Sequence, residues 1–234
     1  MEFIYEKKIE YGMCDINALL KIPEIFKMVE SGAASFFGLY QKDNLTLRKV
    51  YGALWLFTKT SVHIEKLPVW NEMVSIEACL AGEPSKVTCV VEVFIHTKNS
   101  KQGIRAWVEC CSASIETRKL LRLSAIDFEI PFESSSPEYS KWEEELEQFK
   151  TLTVSSSYID YSRHVNNAEY IRILFDGYSI EELEQMHIKN IEVHYLAEAK
   201  EKDMLTIFSK KIEKTTYFQI YRDKLILEMK MEEE

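Results

Sequence analysis

The sequence lacks a long hydrophobic run. Hydrophobic residues make up 46% of the 234 positions, yet no apolar stretch approaches the roughly 18 residues that a membrane-spanning helix needs. The N-terminal stretch MEFIYEKKIEYG also lacks the basic segment and the following apolar segment of a secretory signal. We therefore expect no membrane span and a cytoplasmic location.

Paired cysteines are lacking as well. The cysteines are odd in number, include no C-x-x-C pair, and mostly fall in strand-like stretches of the first half of the chain. Disulfide frameworks and zinc sites need paired, regularly spaced cysteines, so we expect reduced core residues. A cysteine nucleophile in the second half is excluded. The five residues are Cys14, Cys79, Cys89, Cys110 and Cys111.

A surplus of basic residues is also missing, since the formal net charge is −9. Nucleic-acid-binding proteins present a basic stripe, so no nucleic-acid partner is expected. Much of the negative charge lies in residues 133–150 and in the last three residues, which are all Glu. In the first of these segments, Ser136 could cap a helix that has Pro137 at its first position. The segment 133–150 is thus predicted to be an acidic helical linker.

The chain contains two copies of one plan. Residues 15–30 align with 160–175, so that Asp15 falls on Asp160, and residues 62–76 align with 193–207. Each copy has a short strand, an Asp, an apolar helix and then alternating strands. We predict an α+β fold with an N-terminal module over 1–132 and a C-terminal module over 151–234, each a long helix wrapped by a curved antiparallel sheet.

Apolar residues at helical spacing support the two helices. The periodicity drops to two in the segments that follow, as in 87–95 and 225–231, which predicts strands. The helical faces comprise Ile22, Ile25, Phe26, Val29 and Ala33 in the first copy, and His164, Ala168, Ile171, Phe175 and Tyr178 in the second.

The stretch YIDYSRHVNNAEYIRIL, residues 158–174, gathers polar residues where the second helix begins. A purely structural interpretation assigns helix capping and turn formation to the Asp, Ser and Asn side chains, with His164 satisfied in the core. The repeat favours a functional interpretation, because the first copy has Leu19 at the position of His164 and Leu67 at the position of Glu198. The fold therefore does not require this imidazole or this carboxylate.

These polar groups suit the hydrolysis of an acyl compound. A helix N-terminus offers free N–H groups to a polarised carbonyl, and a carboxylate with an imidazole can activate water. No Ser shows a nucleophile-elbow pattern. Strict alternation along residues 191–198 places Glu198 on the solvent-facing side of its strand, so a bulge or a partly covered face is needed to bring it to the site.

The sequence resembles the acyl-acyl carrier protein (ACP) thioesterases of bacteria and plant plastids, which are double hotdog proteins. A second signature of that family, Y-x-x-E-C with a later Asp, matches residues 195–199 and Asp203, and in the first copy residues 55–65, Pro68-x-Trp70 and Thr117-Arg118 are also similar. The main signature, D-x-N-x-H-V-N-N-x-x-Y, matches Asp160, His164, Val165, Asn166, Asn167 and Tyr170.

Two positions depart from the family pattern. Ser162 replaces the signature Asn, so a hydroxyl stands in for an amide with two donors. Ala199 replaces the Cys that follows the Glu, which leaves water activation as the mechanism.

The resemblance implies roles for the site residues. Glu198 is expected to be the general base for water, and Asp160 to orient water or the imidazole. His164 is expected to bind or protonate near the thioester, and Ser162 to replace the Asn contact. The oxyanion is expected to face the helix N-terminus at Val165, Asn166 and Asn167. No cofactor and no metal are expected.

The resemblance also implies where the substrate binds. The fatty acyl chain should lie in the first module, although residues of this kind more often form plain core than the wall of a ligand pocket. The acidic carrier protein should dock on basic residues, although a solvated turn would look the same in sequence. The pocket candidates are Ile25, Val29, Ala33, Trp55 and Phe57, and the docking candidates are Arg118, Lys119 and Arg122.

Three hypotheses for function remain open at this point. The first is hydrolysis of fatty acyl-ACP to free fatty acid and holo-ACP. The second is dehydration of an acyl thioester by a related hotdog enzyme, and the third is an acyl-thioester binding module without activity. The duplication makes a self-contained pseudo-dimer plausible, and a homodimer is an alternative.

Overall fold

A computed structural model describes residues 1–97, 100–133, 139–142 and 144–234, with the backbone alone at 100–102. The described chain is an α+β structure in which helices pack on an eleven-stranded sheet. The helices are α1 (Ile22–Leu39), α2 (Asn44–Tyr51), α3 (Asn167–Phe175) and α4 (Ile180–Gln185). The strands are β1 (Glu2–Lys8), β2 (Ala53–Ile64), β3 (Met73–Ala81), β4 (Thr88–Thr97), β5 (Ser100–Ser114), β6 (Phe132–Glu133), β7 (Glu147–Thr153), β8 (Ile188–Tyr195), β9 (Met204–Ile212), β10 (Thr215–Tyr221) and β11 (Leu225–Glu233).

The strand order is the same in the two halves of the sheet. β2 and β8 pair antiparallel at the centre, with Ser61 opposite Glu192. Outward from this pair, the order is β5, β4, β3 and β1 on one side, and β11, β10, β9 and β7 on the other. Only the short β6 adds to this pattern among the described strands, by pairing parallel with β3. The predicted duplication is therefore visible in the topology, with two equivalent helices, α1 and α3, in contact with each other.

The apolar stripe of α1 is buried as its spacing predicts. Pro23 lies in the first turn, where its missing N–H costs nothing, and Ile25, Phe26, Val29 and Ala33 are fully buried. Burial of such side chains is worth about 1.5–3 kcal/mol each. In the second half the helix is shorter than predicted, because His164 and Tyr178 lie outside α3.

Two parts of the chain differ from the sequence-based expectation. Residues 139–142 and 144–146 contain no helix, and residues 147–150 belong to β7, so the prediction of an acidic linker helix is wrong for these residues. Ser136 and Pro137 lie outside the described residues. Conversely, α2 forms between α1 and β2, where no helix was expected from sequence. Asp43 caps its N-terminus by accepting from the N–H groups of Leu45 and Thr46.

The five cysteines are free thiols, and four of them are buried, which confirms the prediction of reduced core residues. Burial raises the pKa of the Cys111 thiol to about 11, so it stays protonated at neutral pH. Within the described part of the chain, no helix combines the length and the apolar character needed to cross a membrane.

Candidate active site

One carboxylate closes the polar loop that precedes α3. Asp160 Oδ1 accepts a hydrogen bond from the Ser162 N–H at 2.7 Å and another from the Ser162 hydroxyl. The Asp160 N–H donates to the His164 carbonyl at 3.0 Å, and Arg163 adopts a φ of 68°, so the loop turns back on itself. Asp160 therefore organises the loop, whatever its chemical role, and Ser162 is its hydrogen-bond donor.

The loop brings His164 to Glu198. The His164 ring is buried, with 7% of the residue exposed, and its Nε2 lies 2.9 Å from Glu198 Oε2. The Glu198 side chain is 45% exposed, so the carboxylate contacts both the imidazole and solvent. A carboxylate paired with an imidazole in this way can take a proton from water. Within the described residues, Asp160 makes no hydrogen bond to either side chain.

Glu198 reaches the site because β8 has already ended. The N–H groups of Leu196 and Ala197 both donate to the Ile226 carbonyl, at 2.9 and 3.2 Å. This shared acceptor breaks the alternation that would have turned Glu198 towards solvent on the far face. This irregularity at the end of β8 corresponds to the bulge that strict alternation along residues 191–198 required.

Ala199 fixes the Glu198 segment against the helix. Its carbonyl accepts from the Val165 N–H at 2.9 Å, and its N–H donates to the Tyr170 hydroxyl at 2.9 Å. Tyr170 is a signature residue that was given no role from sequence alone. Its buried phenol, whose pKa burial raises, acts here as a hydrogen-bond acceptor that positions the neighbour of Glu198.

The expected oxyanion donors are mostly occupied, which corrects part of the prediction. The Val165 N–H donates to Ala199, and the Asn166 N–H donates to the Tyr158 carbonyl at 3.0 Å. Asn166 is the N-cap of α3, and its Oδ1 accepts from the Ala168 N–H at 3.0 Å. Of the three predicted donors, only the Asn167 N–H has no partner among the residues described.

The acyl-pocket candidates are closely packed. Ile25, Val29 and Ala33 are fully buried on α1. Trp55 stacks on the ring of Phe37 with centroids 4.3 Å apart, while Phe57 is partly buried against the core. One cavity, of about 350 Å³, lies between α1 and the polar loop, and another, of about 170 Å³, is lined by residues of β2, β8 and β11. None of the five candidates lines either of these two cavities.

The three docking candidates lie together on an exposed turn after β5. The Ser114 N–H donates to the Lys119 carbonyl at 2.9 Å, and Arg118, Lys119 and Arg122 are all exposed. None of the three forms a salt bridge to another described residue. The turn joins α2 through a hydrogen bond from Ile115 to the Gly52 carbonyl.

The opposite end of α2 contacts the polar loop. Asn44 Nδ2 donates to the Tyr161 hydroxyl at 3.3 Å. The eight residues of α2 span about 12 Å, so α2 connects the candidate active site to the basic turn.

One acidic residue near the loop was missed from sequence. Glu30 on α1 lines the 350 Å³ cavity together with Asp160 and Asn166. Its Oε1 is buried, and no described residue forms a hydrogen bond with it. The repeat carried a signal for it, because Glu30 aligns with Phe175 of the second copy. Across the described residues, no group of three or more His, Cys, Asp or Glu is placed to hold a metal ion.

Solved structures with this fold include three thioesterases. An acyl-ACP thioesterase from Bacteroides thetaiotaomicron has a TM-score of 0.86 at 20% identity, covering 98% of this chain and 96% of that one. A putative oleoyl thioesterase from Lactobacillus plantarum has 0.82 at 20%, covering 97% and 93%. The 12:0-ACP thioesterase from Umbellularia californica has 0.81 at 16%, covering 97% and 95%. Identities this low support the fold alone.

Comparison with family models gives the identity of the family. A search of curated proteins found no match. The model of the acyl-ACP thioesterase N-terminal domain matches residues 2–125, and that of the C-terminal domain matches residues 141–232. The paired His164 and Glu198 both fall in the second match. The chain belongs to the acyl-ACP thioesterase family, and it is a thioester hydrolase.

Proposed function

We propose that this protein hydrolyses fatty acyl-ACP to free fatty acid and holo-ACP by activating water. Glu198, paired with the His164 imidazole, takes a proton from water as its oxygen attacks the thioester carbonyl carbon. The carbon–sulfur bond then breaks, and the sulfur leaves as a thiol with the proton that the pair returns. The 2.9 Å contact between His164 and Glu198 carries this proposal.

The groups around the pair have supporting roles in the proposal. Asp160, with Ser162 in place of the family Asn, holds the loop and orients the water. The Asn167 N–H, at the first position of α3, is the backbone donor left to face the developing oxyanion. Val165 and Asn166 no longer have this role, since their N–H groups are engaged.

The acyl tail is proposed to bind in the first of two hotdog modules, residues 1–132, while residues 151–234 carry the catalytic groups. The equal strand order of the two halves supports this division. The tail would lie along the α1 face formed by Ile25, Val29 and Ala33, with Trp55 and Phe57 nearby. Because these side chains are packed against the core, they must separate when a tail enters.

The carrier protein is proposed to dock at the basic turn formed by Arg118, Lys119 and Arg122. Their positive charges are exposed, although the chain as a whole is negative. Arg48 and Lys49 in the last turn of α2 are also exposed and extend the basic surface. An acidic partner gains on-rate and orientation from such a patch. A cytoplasmic location, where the carrier would be met, belongs to the same proposal.

Thiol release from acyl-ACP and acyl-CoA substrates tests the hydrolysis. We expect Glu198→Gln to lower kcat/KM by about 10²–10⁴-fold, the usual range for loss of a general base. The chain offers a matched control pair, because His194 Nε2 lies 2.7 Å from Glu192 Oε1 on β8. His194→Gln should leave kcat/KM within a factor of about three, since it removes a similar pair away from the loop. Water loss from a 3-hydroxyacyl substrate without thiol release would contradict the proposal.

A further inference from the structure

Glu30 places a carboxyl group in an environment that disfavours its charge. It projects from α1 into the 350 Å³ cavity, which is bounded by the loop 157–160 and by Asn166. Its Oε1 is buried and has no hydrogen-bond partner among the described residues. The pKa of Glu30 is raised from 4.5 to about 8, mainly by burial and also by the nearby Asp160 carboxylate, while a hydrogen bond with the Asn166 side chain acts in the opposite direction. Glu30 is therefore mostly neutral at pH 7.

The charged groups around this cavity leave Glu30 without a counter-ion. Lys27, on the same helix, lies 2.8 Å from Glu24 and 3.7 Å from Glu169, so its charge is already shared. Glu169 on α3 also pairs with Arg172 at 2.6 Å. From the sheet, the Tyr195 hydroxyl on β8 is buried and has no hydrogen-bond partner in the described part of the chain. It remains a neutral phenol, because burial raises its pKa.

The fold does not require a carboxyl group at this position. Residues 15–30 and 160–175 occupy equivalent places in the duplicated topology, and the partner of Glu30 in this alignment is Phe175. Glu30 on α1 lies next to the loop that carries His164. Its counterpart Phe175, at the end of α3, is apolar. A buried carboxyl oxygen without a hydrogen-bond partner among the described residues costs stability, so the position of Glu30 beside Asp160 calls for a function.

We propose that Glu30 is a positioning residue of the hydrolytic site. As a neutral carboxylic acid it donates a hydrogen bond into the cavity that it shares with Asp160 and Asn166, and the loop keeps its active geometry only while Glu30 carries its proton. When Glu30 ionises, two carboxylates face one cavity and repel each other, which displaces Asp160. This inference rests on the proposed thioester hydrolysis.

The pH dependence of kcat/KM between pH 6 and 9.5 tests the proposal on the full-length protein. Wild-type activity should fall about tenfold per pH unit well above pH 8. Glu30→Gln, which keeps a neutral donor, should retain pH 7 activity within about fivefold and lose this alkaline decline. Glu30→Ala, which removes the donor, should lose at least about tenfold in kcat at pH 7. A structural role alone would not remove the decline while preserving activity.

Glu169→Gln is the matched control, since it removes another carboxylate from the same cavity and should keep the decline. A decline that persists unchanged in Glu30→Gln would overturn the inference and leave the hydrolysis intact. A loss of more than 100-fold in Glu30→Gln at every pH, with the variant folded by circular dichroism, would show that the anion is the working form and would also overturn it. Absence of hydrolysis in the wild type would instead reject the proposed function itself.

Discussion

The loops before α1 and α3 have the same hydrogen-bonded frame. Asp15 Oδ1 accepts from the Asn17 N–H at 2.9 Å, as Asp160 accepts from Ser162 at 2.7 Å. The Asp15 N–H donates to the Leu19 carbonyl at 2.8 Å, matching the bond from Asp160 to His164. A residue with positive φ occupies the same place in both loops, 61° in the first and 68° in the second.

The frame extends to the backbone donors that precede each helix. The Leu20 N–H donates to Pro68 and the Lys21 N–H donates to Met13, at 2.9 and 3.0 Å. The corresponding bonds in the second half run from Val165 to Ala199 and from Asn166 to Tyr158. These N–H groups are occupied in both copies. They therefore belong to the scaffold of both loops, which leaves the Asn167 N–H as the backbone donor proposed to face the oxyanion.

What differs between the loops is a small set of side chains. Leu19 stands in place of His164, and Leu67, which packs against the core, stands in place of Glu198. Asp is common to both loops and has a structural function in both. The comparison thus separates residues that build the loop from residues that carry out chemistry on it.

Replacing a residue of the second loop by its counterpart in the first loop should have the largest effect on kcat/KM. His164→Leu copies the residue of the sister loop, so we expect the fold to be preserved while kcat/KM falls about 10²–10³-fold, because the partner of Glu198 is lost. Thiol release measures the activity, and urea unfolding measures the stability.

The reciprocal change sharpens this comparison. Leu19→His should create no activity in a His164→Leu background, since Leu67 offers no carboxylate. Stability that drops by more than about 2 kcal/mol in His164→Leu would contradict the view that the imidazole is dispensable for folding.

The next largest effect should be on stability, at Glu30. The folded-state pKa is raised from 4.5 to about 8, so the folded state holds this proton more tightly than the unfolded state. The contribution of the bound proton to the free energy of unfolding is fully present below pH 4.5 and is lost as the pH rises through about 8. Glu30→Gln cannot ionise, so its stability relative to wild type should rise between about pH 4.5 and pH 8 and reach about 5 kcal/mol at pH 9.

Urea unfolding at pH 5, 7 and 9 measures this difference. Glu24→Gln, on the same helix, where Glu24 pairs with Lys27, should show no such growth and is the control. A constant difference between wild type and Glu30→Gln across this range would mean that Glu30 does not titrate inside the fold.

Asp15 and Asp160 should differ when each is replaced by Ala. Both variants should lose about 1–2 kcal/mol of stability, because each leaves loop N–H groups without their acceptor. Only Asp160→Ala should lower kcat/KM beyond this structural cost. Equal activity losses in the two variants would show that Asp160 acts through loop stability alone.

Sequence periodicity was sufficient for the duplicated plan and for α1, because a buried stripe repeats at helical spacing. The pairing of His164 with Glu198 was reachable from the asymmetry between copies. The prediction of a linker helix was wrong for residues 147–150, which pair with β9 as part of β7. Strand pairing with a neighbour in the sheet outweighs the local helix propensity of these residues. Glu30 was missed because burial of a single carboxyl depends on how α1 meets the loop, which no local pattern records.

The smallest effect on activity should come from replacing Tyr170. The first copy has Ile25 at the aligned position, so it has no hydroxyl group there. Tyr170→Phe removes the acceptor of the Ala199 N–H and leaves that buried donor unpaired, at a cost of about 1 kcal/mol. Glu198 lies next to Ala199, so kcat should fall about three- to tenfold while KM changes little. Steady-state kinetics with acyl-ACP measure both constants. An unchanged kcat would mean that the Val165 bond to Ala199 alone is enough to hold Glu198 against the imidazole.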